Sequence, residues 1–268
     1  MKTSEYKKIA TDARKKVLEM IYRAQTSHIA SNFSCLDILT VLFEKMDIKK
    51  DKFIASKGWI AASVYYFLAK KGIISEKDLE RYCQPGEKEY IGLTEPHGKF
   101  GLEFSGGSMG YGLPAGVGFA LAKKLDKEGG KIYVLMSDGE MQVGTTYESL
   151  LIARQHNLSN LVVWLDNNCF QAMGKTKDIL DIEPLEEKIK SFGWFVQRIN
   201  GHNFEQIENA WKYTNPSFPN YIICDTIKGK GWKRAEGNNL YHYKSPSKDE
   251  YEEAIKELSL LSKESSQR

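Results

Sequence analysis

The chain has 268 residues, 41% of them hydrophobic and 27% charged, with a formal net charge of +3. That is the ordinary globular range, with enough length for a sizeable core in one large domain or two small ones. It excludes collagen, coiled-coil and disordered classes, and a charge so small and evenly spread gives no nucleic-acid surface.

In chain order, Ala13 to Ala24 places Ala13, Val17, Met20, Ile21 and Ala24 at helical spacing, which predicts an amphipathic helix. Asp37 to Lys45 reads as a second helix. Lys52 to Ser56 reads as a short strand, followed by Gly58 and an apolar helix through Lys71. Gln84 to Gly112 breaks this rhythm with two prolines and a run of glycines; a loop that long in a compact domain is usually functional or disordered. A helix from Leu113 to Leu125 follows, then a strand at 131–136, a helix from Thr145 to Gln155 and a strand at 160–166. Helix Leu185–Phe192, strand 193–199, helix Phe204–Tyr213 and strand 220–227 complete the alternation. Strands apolar on both faces that alternate with helices imply an α/β fold, a parallel sheet flanked by helices. Nothing divides the chain, so a single domain over residues 1–268 is expected, with residues 247–268 as a peripheral, charged, helix-like tail.

No stretch approaches the ~18 apolar residues of a membrane helix, and the polar opening MKTSEYKKIATDARKK lacks the apolar core of a secretory signal. Cys35, Cys83, Cys169 and Cys224 stand far apart without a CxxC pair. That argues against a disulfide framework or zinc site and for a reduced, cytoplasmic setting.

In open parallel sheets, ligands sit at the carboxyl ends of strands. Ser137-Asp138-Gly139-Glu140 follows one strand and Asp166-Asn167-Asn168 follows the next, with one helix between. A right-handed crossover sets such strands side by side or nearly so, and Asp138 and Asn168 then converge. Their hard oxygens, with a backbone carbonyl and phosphate oxygens, suit an octahedral magnesium or calcium shell. The run Ser105-Gly106-Gly107-Ser108-Met109-Gly110-Tyr111-Gly112 leads straight into the helix at Leu113, and backbone N–H groups at such a start bind phosphate. Each motif alone is most often a turn; their order around one strand–helix–strand unit is what points to a metal-bridged diphosphate.

This pattern resembles the thiamine-diphosphate motif, G-D-G followed by N-N. Over roughly Ala13 to Pro246 the chain resembles the N-terminal, diphosphate-binding half of transketolase in its split form. The resemblance rests on ARKKVLEMIYRAQTSHIASNFSCLDILTVLF, DKFIASKGW, GLEFSGGSMGYGLPAGVGFALAKKL, VLMSDGEMQVGTTYESL, NLVVWLDNN and TIKGKGW, in that order. Two stretches, FGLEFSGGSMGYGLP and GKGW…NNLYHYKSP, look most like split transketolases that act on unusual sugars. The resemblance implies the thiamine-diphosphate-binding fold, with Asp138, Asn168 and the Phe170 main-chain oxygen as magnesium ligands. It sets Gly139 and Glu140 against the diphosphate and Gly107 to Gly110, including Ser108 and Met109, beside the thiazolium. It makes His28, His97 and His242 candidates for proton transfer or substrate orientation, and Glu148 part of a carboxylate chain between two active sites.

The chain also departs from the pattern. Where the family has S-K-G-H it has Ser56-Lys57-Gly58-Trp59, so an imidazole is lost and Trp59 reads as packing or a pocket wall. H-P-G-G becomes His28-Ile29-Ala30-Ser31, the first glycine of G-D-G is Ser137, and the glutamate expected at position 143 is Val143. Lys228 and Lys230 read as a solvated basic turn. The pyrimidine-binding half of the family lies outside this sequence, so a separate C-terminal subunit is expected, in a heterotetramer acting on a sugar, with neither nucleic acid nor membrane as partner. Three alternatives stay open: the alpha chain of another thiamine enzyme such as a 2-oxo acid dehydrogenase, a non-catalytic or regulatory subunit of the same fold, and a Rossmann-type nucleotide binder. The last lacks a G-x-G-x-x-G after its first strand.

Overall fold

Apolar periodicity and burial agree closely along the chain. In the computed structural model, described for residues 1–95, 102, 104 and 109–266, α1 (Thr3–Ala24) starts well before Ala13. Tyr6 and Ala10 extend its apolar stripe and are buried. α2 (Ile29–Lys45) begins eight residues before the expected Asp37. The polar residues that hid its start, Ser31, Asn32 and Ser34, are buried and bonded to other parts of the fold. A helix buried on nearly every side belongs at the centre of a core.

β1 (Lys52–Ala55), α3 (Ala61–Lys70), α4 (Gly112–Leu125), β2 (Ile132–Ser137), α5 (Gly144–Gln155) and β3 (Leu161–Asn167) follow. A small antiparallel hairpin, β4 (Phe170–Gln171) and β5 (Gly174–Lys175), leads into α6 (Thr176–Ile179) and α7 (Leu185–Ser191). Then come β6 (Phe195–Asn200), α8 (Phe204–Lys212), β7 (Asn220–Asp225) and α9 (Lys248–Ser266).

Five strands form one all-parallel sheet in the order β1-β2-β3-β7-β6. Successive strand residues point to opposite faces, and the core divides accordingly. Tyr133, Leu135, Val162 and Trp164 meet α1, α2, α3 and α8 on one face; Val134, Met136, Val163 and Leu165 meet α4, α5 and α7 on the other. α9 packs against α1. Ala254 and Leu258 are buried there, and Tyr251 stacks on Tyr22 with ring centres 4.4 Å apart. Among the described residues no helix is long and apolar enough to cross a membrane, and the four cysteines are unpaired.

The register positions the site. Ser137 stands opposite Asp166, and Asn167 opposite Asp225. The ends of β2, β3 and β7 therefore lie level, and the segments leaving them share one edge of the sheet. Gly112 brings the first turn of α4 against the end of β1, where a Cβ would come within 2.3 Å of the Ser56 side chain. Only glycine fits that approach.

Candidate active site

At the end of β2 the chain turns through Asp138–Gln142, and Glu140 fixes the turn. One Glu140 oxygen accepts from Ser137 N–H (2.7 Å) and Ser137 Oγ (3.1 Å). The other accepts from Ser56 Oγ and from Gly110 N–H (3.2 Å). Glu140 thus ties β1, β2 and the segment before α4 together with both oxygens satisfied. Burial pushes its carboxyl up, against the pull of these bonds. Gly110 holds a φ of +84°, and a Cβ there would meet Val143 at 2.5 Å, so the residue must be glycine.

Asp138 is fully buried. Its Oδ1 accepts from Gly139 N–H at 3.0 Å, while Oδ2 has no partner among the described residues. Burial, with the Asp166 charge adding to it, pushes the carboxyl up to about 7. An orphaned buried carboxylate oxygen is costly unless something joins it.

At the end of β3, Asp166 is fully buried and gathers four donors. Ser34 Oγ lies at 2.5 Å and Asn168 Nδ2 at 3.1 Å, with the Lys57 ammonium and Thr226 Oγ1 alongside. Burial alone would raise this carboxyl; Lys57 and the hydrogen bonds outweigh it and hold it below its ordinary value. Asn168 is oriented by this contact. Its Oδ1 accepts from Phe170 N–H at 3.1 Å and retains a second lone pair.

A cavity of 370 Å³ opens over these ends. Ser56, Lys57, Glu140 and Asn168 are its buried lining; Trp59, Met109 and Tyr243 are its exposed lining. His28 precedes α2 with a φ of +72°, a conformation that surrounding structure must impose on a non-glycine residue. Here its N–H donates to the His242 carbonyl (2.9 Å), and its own carbonyl accepts from Asn32 Nδ2 (2.9 Å). The His28 ring stacks on Trp59 (4.6 Å between centres, 7° between planes) and meets His242 edge-on at 4.7 Å. Burial, then the charges of Lys57 and Lys228, lower the His28 imidazole to about 4. Burial and Lys228 bring His242 to about 3. Both are neutral at physiological pH. Lys228 Nζ reaches His242 Nδ1 (2.9 Å) and Asn239 Oδ1 (2.8 Å), so the ammonium donates and the His242 proton sits on Nε2.

A second cavity, of 520 Å³, lies beside α1. Its buried charges are already spent on one another. Arg14 pairs with Asp37 (2.8 Å), Asp37 accepts from His202 Nδ1 (2.7 Å), and His202 Nε2 accepts from Ile227 N–H (2.8 Å).

Comparison with known proteins supplies the family. The one described as "Transketolase, thiamine diphosphate binding domain" matches residues 5–265. The chain belongs to this transketolase family. It is 35% identical over 260 residues to a subunit of the apulose-4-phosphate transketolase of Phocaeicola vulgatus, covering 92% of this chain and 91% of that one. It is 32% identical over 256 residues to the 6-deoxy-6-sulfo-D-fructose transketolase subunit SqwG of Clostridium sp., covering 91% and 93%. The fold matches the crystal structure of transketolase from Campylobacter jejuni with a TM-score of 0.89 at 24% identity, over 97% of this chain and 43% of that one.

Within the transketolase frame, the residues present fit a metal-bridged diphosphate. The donor set is mixed and hard: the orphaned Asp138 Oδ2, the amide oxygen of Asn168 and the Phe170 carbonyl. No trio of His, Cys, Asp or Glu gathers as a metal cluster among the described residues. A Cβ at Gly139 would stand 3.0 Å from Gln171 and 3.5 Å from Met109 Sδ, so the glycine keeps this turn low beside the cavity.

The remaining candidates sort by position. Met109, Glu140, Asn168, Phe170, His28 and His242 line the cavity; Asp138, Gly139 and Gly110 are not among its lining residues, Gly110 bonding to the lining Glu140 and Asp138-Gly139 standing in the chain between the lining Ser137 and Glu140. Glu148 stands exposed on α5, outside the cavity lining. His97, Gly107 and Ser108 lie outside the described residues. Lys228 corrects the sequence reading. It is 1% exposed and points inward to His242 because its loop, after β7, folds over the strand ends. Sequence reasoning named Lys57 and Asp166 within motifs but gave neither a role. The one available signal was their position, Lys57 two residues past one apolar strand and Asp166 at the penultimate residue of another.

Proposed function

We propose that the chain is the diphosphate-binding subunit of a two-subunit transketolase and transfers a two-carbon ketol unit from a ketose to an aldose. Its metal would be Mg2+, or Ca2+, held by Asp138, Asn168 and the Phe170 carbonyl together with the coenzyme's phosphates. The observation that carries this reading is the buried Asp138 Oδ2, without a partner among the described residues, just past the end of β2, the strand paired with the one that leads to Asn168. Thiamine diphosphate, when bound, supplies a carbon nucleophile and an electron sink. The chain's own residues anchor and orient. Glu140 holds Gly110 and the turn after β2 in place, and Asp166 holds the Asn168 amide. His242, with its proton on Nε2, offers a hydrogen-bond donor to a substrate oxygen, and neutral His28 beside it accepts or relays a proton.

Both bacterial relatives are named as single subunits of a transketolase. This supports a separate partner, which would bring the pyrimidine-binding half. A heterotetramer of two copies of each is the assembly expected, cytoplasmic and acting in the metabolism of unusual sugars or polysaccharides. A second reading, a subunit that binds coenzyme without turnover, draws on Trp59 and Val143. Calorimetric titration of Mg2+ and thiamine diphosphate into the wild type and Asp138→Ala tests the binding site. Undiminished uptake by the variant would sink the proposal. A ketol-transfer assay with the partner present then separates turnover from binding alone.

A further inference from the structure

Lys228 is buried at a cost that its own contacts do not offset. Among the described residues its ammonium is bonded to two neutral acceptors, Asn239 Oδ1 and His242 Nδ1, and to no carboxylate. A buried ammonium without a counter-ion tends to leave for water, so the backbone that carries it has to be held from elsewhere. The hold comes from the far side of the same loop. Asp37, on α2, takes both amino nitrogens of Arg14 on α1 (Nη1 to Oδ1 2.8 Å, Nη2 to Oδ2 2.9 Å), and its Oδ2 also accepts from His202 Nδ1 (2.7 Å). With the His202 proton on Nδ1, Nε2 is an acceptor, and it receives Ile227 N–H at 2.8 Å. Arg14 Nε donates to the Lys230 carbonyl at 2.8 Å.

One carboxylate thus grips the backbone on both sides of Lys228, at residue 227 through an imidazole and at residue 230 through a guanidinium. Between these points Gly229 N–H donates to the Ala30 carbonyl (3.0 Å). Burial would raise the Asp37 carboxyl, but the Arg14 charge and the bonds from His202 and Arg14 outweigh it and hold it low. The grip is therefore made of charge-assisted bonds, the stronger kind. Its consequence falls on His242. Lys228 donates to His242 Nδ1, which puts the proton of that neutral imidazole on Nε2. Released at 227 and 230, the loop is free to turn Lys228 out to water. An imidazole without that donor exchanges its proton between the two ring nitrogens.

We propose that His202 and Arg14, acting through Asp37, are positioning residues of the candidate active site: they hold residues 227–230 so that Lys228 stays against His242 Nδ1 and keeps the His242 proton on Nε2. The use of that proton toward a substrate oxygen rests on the transferase reading above; the hold on Lys228 and His242 does not.

The test is NMR of the imidazole nitrogens in the full chain labelled with nitrogen-15 at its 5 histidines, with the His242 signals assigned by their loss in His242→Gln. The wild type should show His242 with its proton on Nε2. His202→Phe fills the ring's volume but loses both bonds, and should give His242 as a mixture of tautomers. His202→Gln keeps one donor and one acceptor and should retain the wild-type pattern. Thermal melts establish that the variants fold. Should His202→Phe melt too low to study, Arg14→Lys reads the other end of the grip, because it keeps the charge beside Asp37 and gives up the bond to Lys230; it too should mix the tautomers. A wild-type His242 without its proton on Nε2, an unchanged pattern in the variant that is read, or a glutamine variant that behaves like phenylalanine overturns the proposal. In a ketol-transfer assay with the partner subunit, kcat should fall roughly 10- to 100-fold in His202→Phe and recover in His202→Gln. An unchanged kcat in His202→Phe overturns the role in the reaction. Absence of ketol transfer by the wild type would sink the transferase reading, while the tautomer measurement still decides whether His202 and Arg14 position His242.

Discussion

Replacing Lys57 by Met isolates the buried charge balance under the site. Lys57 and Asp166 are both buried, and the Lys57 ammonium also donates to the Ser31 carbonyl (2.8 Å) and Ser34 Oγ (3.0 Å). Methionine refills most of the lysine stem, so little cavity forms. The cost is then the carboxylate left without its cation, about 3–5 kcal/mol for a broken buried pair. Three hydrogen bonds to Asp166 survive, from Ser34, Thr226 and Asn168, which places the loss near the lower end, about 3 kcal/mol. At roughly 2–4 °C per kcal/mol for a chain of this size, the melting temperature should fall by about 6–12 °C. Scanning calorimetry of the coenzyme-free protein measures it. The double variant Lys57→Met/Asp166→Asn removes the stranded charge and should lose about 1–3 kcal/mol less than the two single losses added together. The pH dependence carries a sign. In the wild type the Asp166 carboxyl is held low, so its contribution is present above the unfolded carboxylate pKa and is lost as pH falls. In Lys57→Met only the three surviving hydrogen bonds oppose burial, so the carboxyl rises above its wild-type value, the folded variant takes up a proton more readily and its deficit narrows as the solution is acidified. A deficit below about 1 kcal/mol, or strict additivity in the double variant, would refute the reasoning.

Two further predictions concern single groups. Asp138, raised to about 7 by burial and then by Asp166, binds a proton on folding between the unfolded carboxylate pKa and that value, so coenzyme-free protein should lose stability as pH rises through this window; Asp138→Asn should lack that decline in urea melts at pH 5 and 8. His242 is lowered to about 3 by burial and then by Lys228, so Lys228→Met should raise its titration midpoint in NMR, and an unmoved midpoint would mean that Lys228 does not govern the imidazole.

Much of this was legible in the sequence, for a physical reason. Strands buried on both faces are apolar throughout, so the strands read at 131–136 and 160–166 stand out and are found, one residue on, at 132–137 and 161–167, paired side by side. What stayed hidden were residues whose environment is made by distant segments. Ser31, Asn32 and Ser34 look like a polar break, yet they are the inner lining of α2. Lys57 and Lys228 look like solvated lysines until Asp166 and His242 appear beside them. A single sequence carries hydrophobic period but no record of which buried charge meets which, and the left-handed turn at His28 has no glycine to announce it.

The distribution of charge at the strand ends explains why such residues gather there. Three carboxyls, Asp138, Glu140 and Asp166, and two ammoniums, Lys57 and Lys228, are buried within one edge of the sheet. Glu140 is balanced by four hydrogen bonds and Asp166 by Lys57. Lys228 is turned toward neutral acceptors, His242 and Asn239. That leaves Asp138 as the one carboxyl of the three whose second oxygen meets no group among the described residues. Burying it so serves stability poorly, because a hydrophobic residue of like size would cost less. The arrangement makes sense as a site held one positive charge short. Under the proposed function a divalent ion would supply that charge at Asp138, among groups that Glu140 and Asp166 already hold in place.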